Sequence, residues 1–487
     1  MYLGSASGRI VFPDDEIVYQ TSEAIYERGA LDIRGIARRT GEPKGQPTGT
    51  FGWASGVDER RYGFFGHGLS VVALPMYALG AATADSVPES WRHAVRSNHF
   101  YVHPRTPAGD WKRLVVSLTN CLLTPIAVGL AMLWTRQLGF RGSARWLVGV
   151  GLGLGSLMWP YSRTFLSETL SATMLLGAAT CVARHHRTRG AGSLWSAAAL
   201  VGWSCHVHLL NLIAIPAFVG YAIAPLWAHR RRMAWVWGIA LAVGVSGLLA
   251  LGLSHAARFG SPIESGRYGL YSHFIVPSTE LVALLLSPGR SLWLTSPILL
   301  GALLGWRRFR SRVPAAAWFC LAIVMTRLVF VAARSDWWGG WAIGPRFLVP
   351  VIPFALLPIA AAWDHGTGRV RFGLLLLLGL SVVLQAHLAQ HSIFEWMLWL
   401  NTNTPKDPGY LWVSHWTFRG NPAWGFMQLE PDLLRVGAEQ LARHGHRGLH
   451  RIFRGIGLLA VSSLALVLWP GRSRLRGEPR PGHAPAR

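Results

Sequence analysis

Residues 114–134 read LVVSLTNCLLTPIAVGLAMLW, an unbroken stretch with no charged side chain. A helix needs roughly 17 to 25 apolar residues to cross the hydrocarbon core of a bilayer, and this stretch supplies them. Phe165 to Ala183, Met233 to Leu253 and Phe347 to Trp363 repeat the pattern. Each must be helical, because lipid offers the backbone no hydrogen-bond partners. Composition agrees: 51% of residues are hydrophobic, only 14% are charged, and Trp (24) and Gly (54) are abundant. These values fit an all-α polytopic membrane protein far better than a soluble domain.

The net charge of +24 invites a nucleic-acid reading, but the basic residues are almost all Arg, with Lys only at Lys44, Lys112 and Lys406. They are scattered through short links between spans, with no basic helix or aromatic RNA-binding motif, so no nucleic-acid partner is expected. Cys121, Cys181, Cys205 and Cys320 fall inside apolar blocks without paired spacing, which supports neither a disulfide framework nor a zinc site.

The short links set the topology. Arg136/Arg141/Arg145, Arg184/Arg187/Arg189, Arg230 to Arg232, Arg307/Arg308/Arg310/Arg312 and Arg369/Arg371 form five basic links that alternate with links poor in Arg. The positive-inside rule makes the five cytoplasmic and leaves 1–112, about 161–163, 255–290, 334–345 and 389–450 on the outer face. The result is about eleven spans with the N-terminus outside. Its weakest link is the last span, which Arg443, Arg447, Arg451 and Arg454 precede on the outer side. An exported N-terminal segment also implies an export signal or a further helix upstream of Asp14.

Four units follow: a first extracytoplasmic loop (1–112), a transmembrane core (113–388), an outer cap segment (389–450), and a last helix with a basic cytoplasmic tail (451–487). The first loop holds about half of the carboxylates, Gly/Pro-rich turns around Pro43 to Gly56, and an apolar run, Leu69 to Gly80, interrupted by Pro75. That run is too short to span and reads as a helix at the interface or packed against the spans.

Several strings in the chain resemble a known family. They are Ser7-Gly8-Arg9-Ile10, Asp15-Glu16-Ile17-Val18-Tyr19, Ala24-Ile25-Tyr26-Glu27-Arg28-Gly29, Tyr62-Gly63, and Leu74-Pro75-Met76-Tyr77-Ala78-Leu79-Gly80. Ser287-Pro288-Gly289-Arg290, Ser296-Pro297, Trp338-Gly339-Gly340-Trp341 and Gly344-Pro345-Arg346-Phe347 follow in order. Together they resemble GT-C membrane glycosyltransferases, in the polyprenyl-phosphate-sugar-dependent branch related to protein mannosyltransferases and aminoarabinose transferases. The resemblance covers most of the chain up to about Trp363.

The resemblance implies that Asp15, at the position of the family's Asp-Glu pair, is the catalytic base. A carboxylate within hydrogen-bond reach can take the proton of an acceptor hydroxyl or amine as it attacks an anomeric carbon. The plain alternative is a solvated acid, or a cap on a helix begun by Glu16. Glu16 could orient Asp15 or ligate a cation. Glu168, in Ser162-Arg163-Thr164-Phe165-Leu166-Ser167-Glu168, would line the site and bind acceptor or orient the base, the alternative being a simple Arg163/Glu168 pair at the interface.

The leaving lipid phosphate calls for arginine, whose planar fork grips a phosphate through two hydrogen bonds. Arg346 is the first candidate, Arg290 and Arg267 the next, with headgroup anchoring as the plain alternative for each. Arg327, inside an apolar block, is a further candidate. Trp337, Trp338 and Trp341 suit a membrane boundary as readily as a sugar-stacking surface. His206 and His208 lie two apart, but no metal framework accompanies them, so no metal ligands are assigned. Some relatives use a divalent cation near the acidic pair, and Asp15 with Glu16 could hold one.

The expected function is transfer of a sugar, with inversion, from a polyprenyl-phosphate carrier to an extracytoplasmic acceptor: a lipid, a glycan or a protein. The expected location is the plasma (inner) membrane, with the active site on the extracytoplasmic face. A transporter or lipid flippase is the alternative; it predicts related halves and paired broken helices at mid-membrane, whereas here the acids gather in one outer loop.

Overall fold

The computed structural model describes residues 1–34, 52–89, 92, 106–223, 234–267, 273–407 and 409–433. Its principal helices are α1 (Pro13–Arg28), α2 (Gly68–Val72), α3 (Leu74–Thr83), α4 (Pro107–Ser117), α5 (Thr119–Gln137), α6 (Gly142–Gly153), α7 (Glu168–Thr188) and α8 (Ala191–Ser204). After these come α9 (Ile215–Ile223), α10 (Ala234–Phe259), α11 (Leu300–Arg312), α12 (Pro314–Ala332), α13 (Ile359–His365), α14 (Gly368–Leu388), α15 (Ile393–Asn403) and α16 (Gly409–Trp416). The sheet content is one antiparallel ribbon, β1 (Trp53–Ser55) with β2 (Arg61–Gly63), in which Ala54 faces Tyr62.

Five helical segments among the described residues are long and apolar enough to cross a membrane: Pro107–Gln137, Ala234–Phe259, Pro314–Ala332, Arg346–His365 and Gly368–Leu388. The chain is an all-α multi-pass membrane protein. Leu241, Leu249 and Leu253 on α10, and Leu376, Leu380 and Val383 on α14, are exposed, as side chains bathed in hydrocarbon would be. The Arg230 to Arg232 link, the turns from Pro43 to Phe51, the end of the cap segment and the last helix with its tail lie outside the described residues.

Two helix starts differ from the sequence reading. The expected span from Phe165 begins instead at Glu168, and the Phe165 N–H ahead of it donates to the Asp15 carboxylate. The helix expected from Glu16 begins at Pro13, whose missing N–H costs nothing at the first helical position. Asp14, Asp15 and Glu16 thereby share the first turn, where the helix dipole favours negative charge. The helix ends at Gly29, which takes a left-handed φ of 62° and returns its N–H to Ile25 O.

The segment Arg346–His365 opens as a 3-10 turn, Arg346–Val351, and is broken again before α13. Pro350, Pro353 and Pro358 each withhold a backbone donor, which prevents a continuous α-helical ladder. The opening turn packs on α7, and α7 also packs on α5 and α8. Glu168 at the head of α7 and Arg346 at the head of this segment are therefore set side by side. On the other side of the bundle α8 meets α10 so closely that a Cβ on Gly202 would lie 2.3 Å from Gly244 O. Helices α2 and α3, split at Ala73, pack on α1, and α3 also lies on α4.

Candidate functional site

A cavity of about 880 Å³ opens at the head of α1. One wall carries Asp14 and Asp15 from α1 with Phe165 and Ser167 before α7. The facing wall comes from Arg334 to Phe347, including Asp336, Trp338, Trp341 and Arg346. His208 and Arg267 close one side, and Phe394 and Leu398 of α15 close another.

Arg346 ties the acids together. Its Nε donates to Glu168 Oε1 at 2.6 Å and its Nη1 to Asp14 Oδ2 at 2.9 Å. Nη2 makes no hydrogen bond among the described residues. Glu168, expected to pair with Arg163 if it did nothing else, does not: Arg163 donates to the Ser5, His391 and Asp432 carbonyls. Arg346 lies in the turn that packs on α7, within reach of Glu168, while Arg163 is held by the carbonyls of Ser5, His391 and Asp432.

Asp15 is buried beside this group. Its Oδ2 accepts the Phe165 N–H at 3.1 Å, while Oδ1 is buried with no partner among the described residues. Burial and then the neighbouring Asp14 carboxylate hold its pKa well above the usual carboxylate range, against the opposing pull of the Phe165 N–H and Arg346. A carboxylate raised in this way is a stronger base than a solvated one.

Glu16 does not join the cavity. It accepts a fork of two bonds from Arg113 of α4, Nε to Oε2 at 2.9 Å and Nη2 to Oε1 at 2.7 Å, and a third from Gln20. The Arg113 guanidinium also lies over the Tyr19 ring, 4.4 Å from its centroid. Glu16, expected to orient Asp15 or ligate a cation, is not on the cavity wall, and three of its acceptor sites are committed to Arg113 and Gln20. Successive helical residues point about 100° apart, which is why one acid of the pair reaches the cavity and the next does not.

Of the arginines, Arg267 lines the cavity, its guanidinium 5.3 Å from the Phe64 ring centroid. Its Nε is buried with no hydrogen bond among the described residues, and burial, then the nearby Arg334, lower its pKa. Arg334 is matched by Asp336 through a fork of 2.8 and 2.7 Å. Arg290 is fully buried but absent from the cavity wall; it donates to Ala342 O and lies 5.6 Å from the centroid of Trp338, which does line the cavity. Arg327 donates to Phe347 O at 2.5 Å and Asn211 Oδ1 at 3.1 Å, and so meets no carboxylate by a direct bond.

His206 and His208 do not act as a pair. His206 bonds to His67 and to Gly247 O, whereas His208 faces the cavity. Among the described residues no three His, Cys, Asp or Glu gather to hold a metal ion, and the positive charge between Asp14 and Glu168 is a guanidinium. The sequence motifs did not single out Asp14, Asp336 or Phe347 as site residues; the three-acid run after Pro13 was the one signal that bore on Asp14.

No protein-family model matches the chain, and no curated protein matches it. It is similar to the crystal structure of ArnT from Cupriavidus metallidurans in the apo state, with 15% identity and a TM-score of 0.47 over 87% of this chain and 73% of that one. It is likewise similar to ArnT from the same organism bound to undecaprenyl phosphate, with 14% identity and a TM-score of 0.47 over 94% of this chain and 73% of that one.

Proposed function

We propose that the protein is a membrane glycosyltransferase that moves a sugar, with inversion, from a polyprenyl-phosphate carrier to an acceptor hydroxyl or amine on a lipid, a glycan or a protein. The observation that carries this reading is Asp15: a buried carboxylate of raised proton affinity, one oxygen fixed by a backbone N–H and the other unpaired, on the wall of a large cavity rich in arginine. The motif order along the sequence supports it independently.

In this reading the acceptor oxygen or nitrogen attacks the anomeric carbon as Asp15 Oδ1 takes its proton. The bond from that carbon to the phosphate oxygen breaks, and the departing phosphate keeps the electron pair. Preorganised cations stabilise the charge that develops on it. Arg267, with a donor unspent, and Nη2 of Arg346 are the groups for this task. Asp14 and Glu168 hold the Arg346 plane in place and so act as positioning residues. Arg290, which is not on the cavity wall, has no direct part in this reading.

The first loop (1–112) brings the base, the core (113–388) brings the arginines, and the cap (389–450) covers the cavity through Phe394 and Leu398 and selects the acceptor. The site lies on the extracytoplasmic face of the plasma membrane. The test is reconstitution with a panel of polyprenyl-phosphate sugars and assay of released lipid phosphate. Equal rates for wild type and Asp15→Asn would rule out the base, and translocation of intact carrier without sugar release would favour a flippase.

A further inference from the structure

Phe347 is the hub of the arginine-rich end of the cavity: the Arg334 and Arg346 guanidinium carbons lie 5.7 and 5.9 Å from its ring centroid, and the His208 ring meets it edge-on at 5.9 Å. Arg327 binds the Phe347 carbonyl. His208 is thus set among cations, on the wall of the cavity.

The hydrogen bonds of His208 fix its tautomer. The residue caps the 3-10 turn Leu209–Ala214, its Nδ1 accepting the Leu210 N–H at 3.1 Å. A neutral ring whose Nδ1 accepts must carry its proton on Nε2. Nε2 makes no hydrogen bond among the described residues. Burial first, then Arg327, Arg267, Arg346 and Arg334, depress the imidazole pKa well below its ordinary value, so the ring stays neutral.

We infer that His208 is a substrate-binding residue, whose Nε2–H donates a hydrogen bond to a phosphate oxygen of the lipid-linked donor at the end of the cavity shared with Arg267 and Arg346. This inference rests on the glycosyltransferase reading and locates its leaving group: phosphate at the His208–Arg267 end, acceptor at the Asp15 end. A neutral donor serves the purpose because it strengthens phosphate binding without adding a further positive charge among four arginines and without transferring a proton to the departing group. The lipid tail would then lie against the apolar residues that follow His208 on the same wall, Leu209, Leu210 and Ile213.

The test measures binding of farnesyl phosphate, a short polyprenyl monophosphate, to the detergent-solubilised full chain by calorimetry, with farnesol as the uncharged control. His208→Asn keeps an oxygen where Nδ1 caps the turn and removes the distal donor, while His208→Gln puts an amide near Nε2. The expected result is about a tenfold loss of farnesyl phosphate affinity in His208→Asn, since a hydrogen bond to a charged group is worth about that much. His208→Gln should recover most of it, farnesol binding should not change, and the melting temperatures should match wild type. Undiminished affinity in His208→Asn beside a clear loss in Arg267→Ala would overturn the inference and leave the glycosyltransferase reading intact. If wild type binds farnesyl phosphate no better than farnesol, the phosphate site itself is wrong, and the inference falls with it.

Discussion

Asp15 and Glu16 are adjacent, both buried, and both in the first turn of α1, yet the protein treats them in opposite ways. Glu16 is satisfied: a guanidinium fork and an amide occupy its oxygens, and an aromatic ring covers the arginine. Asp15 is left short, with one backbone donor, an unpaired oxygen and a like charge next to it. Saturation is what a structural ion pair needs to repay its desolvation. An acid held short of partners is destabilising in the folded state and is available for proton transfer, so the contrast separates a fixing point from a site.

The largest expected effect breaks the comparison at Asp15. Asp15→Asn should lower turnover by about a hundred- to ten-thousandfold, the usual contribution of a general base. The same substitution should raise the melting temperature near neutral pH. Between the ordinary carboxylate pKa and the raised folded value the native state binds a proton that the unfolded chain has released, so stability falls as pH rises through that window, and removing the acid removes this loss. Wild-type activity should fall with acidification at a pH above the ordinary carboxylate range, as Asp15 takes up its proton. A pH–rate profile and a thermal melt of both proteins check these outcomes together.

Next comes the other half of the contrast. Arg113→Met leaves the Glu16 charge buried without its fork and should cost about 3–5 kcal/mol, whereas the double variant Glu16→Leu with Arg113→Met should return to near wild-type stability. Chemical denaturation of the three proteins in mild detergent measures this. Glu16→Gln should turn over far better than Asp15→Asn; equal loss in both would place Glu16 in the chemistry and erase the distinction.

A smaller effect is expected at Arg346, the cation that serves the cavity side. Lysine keeps the charge but cannot bridge Asp14 and Glu168 as a planar fork, so Arg346→Lys should lose about ten- to a hundredfold in turnover, the worth of one charged hydrogen bond. If the lysine variant matches wild type, the bridge is incidental, and Asp14 and Glu168 lose their positioning role.

Spans are legible in the sequence because apolar length is a property of a single stretch, and the place of Asp15 on the cavity wall and the start of the Arg346 segment follow motif and Gly-Pro punctuation, which are also local. Partner choice was not local. Glu168 finds Arg346 far along the chain rather than Arg163 five residues before it, because the packing of α7 on the Arg346–Val351 turn decides the matter. His206 and His208 are only two residues apart, yet one bonds to His67 while the other caps a turn and faces the cavity, a difference their spacing does not show. Glu16 read as a group that could orient Asp15 or ligate a cation because the sequence does not show which face of α1 meets α4.

The smallest expected effect lies at the rim, and it shows what exposure does to the same chemistry. Arg9 meets Glu395 at 2.5 Å and Asp432 at 2.9 Å, tying the segment ahead of α1 to α15 and to the stretch around Asp432, but Glu395 is nearly half exposed. Solvent and salt screen such a pair, and Arg9→Ala should change stability by no more than about 1 kcal/mol, less at high salt, in contrast to the buried Arg113 pair. Turnover is the more informative readout. Glu395 lies one residue from Phe394, which walls the cavity, so a loss of turnover in Arg9→Ala without a loss of stability would mean that the tie sets the position of that wall. Unchanged turnover would mean that α15 is held by its buried contacts, Trp396 and Met397 foremost, and that the rim pair only decorates it.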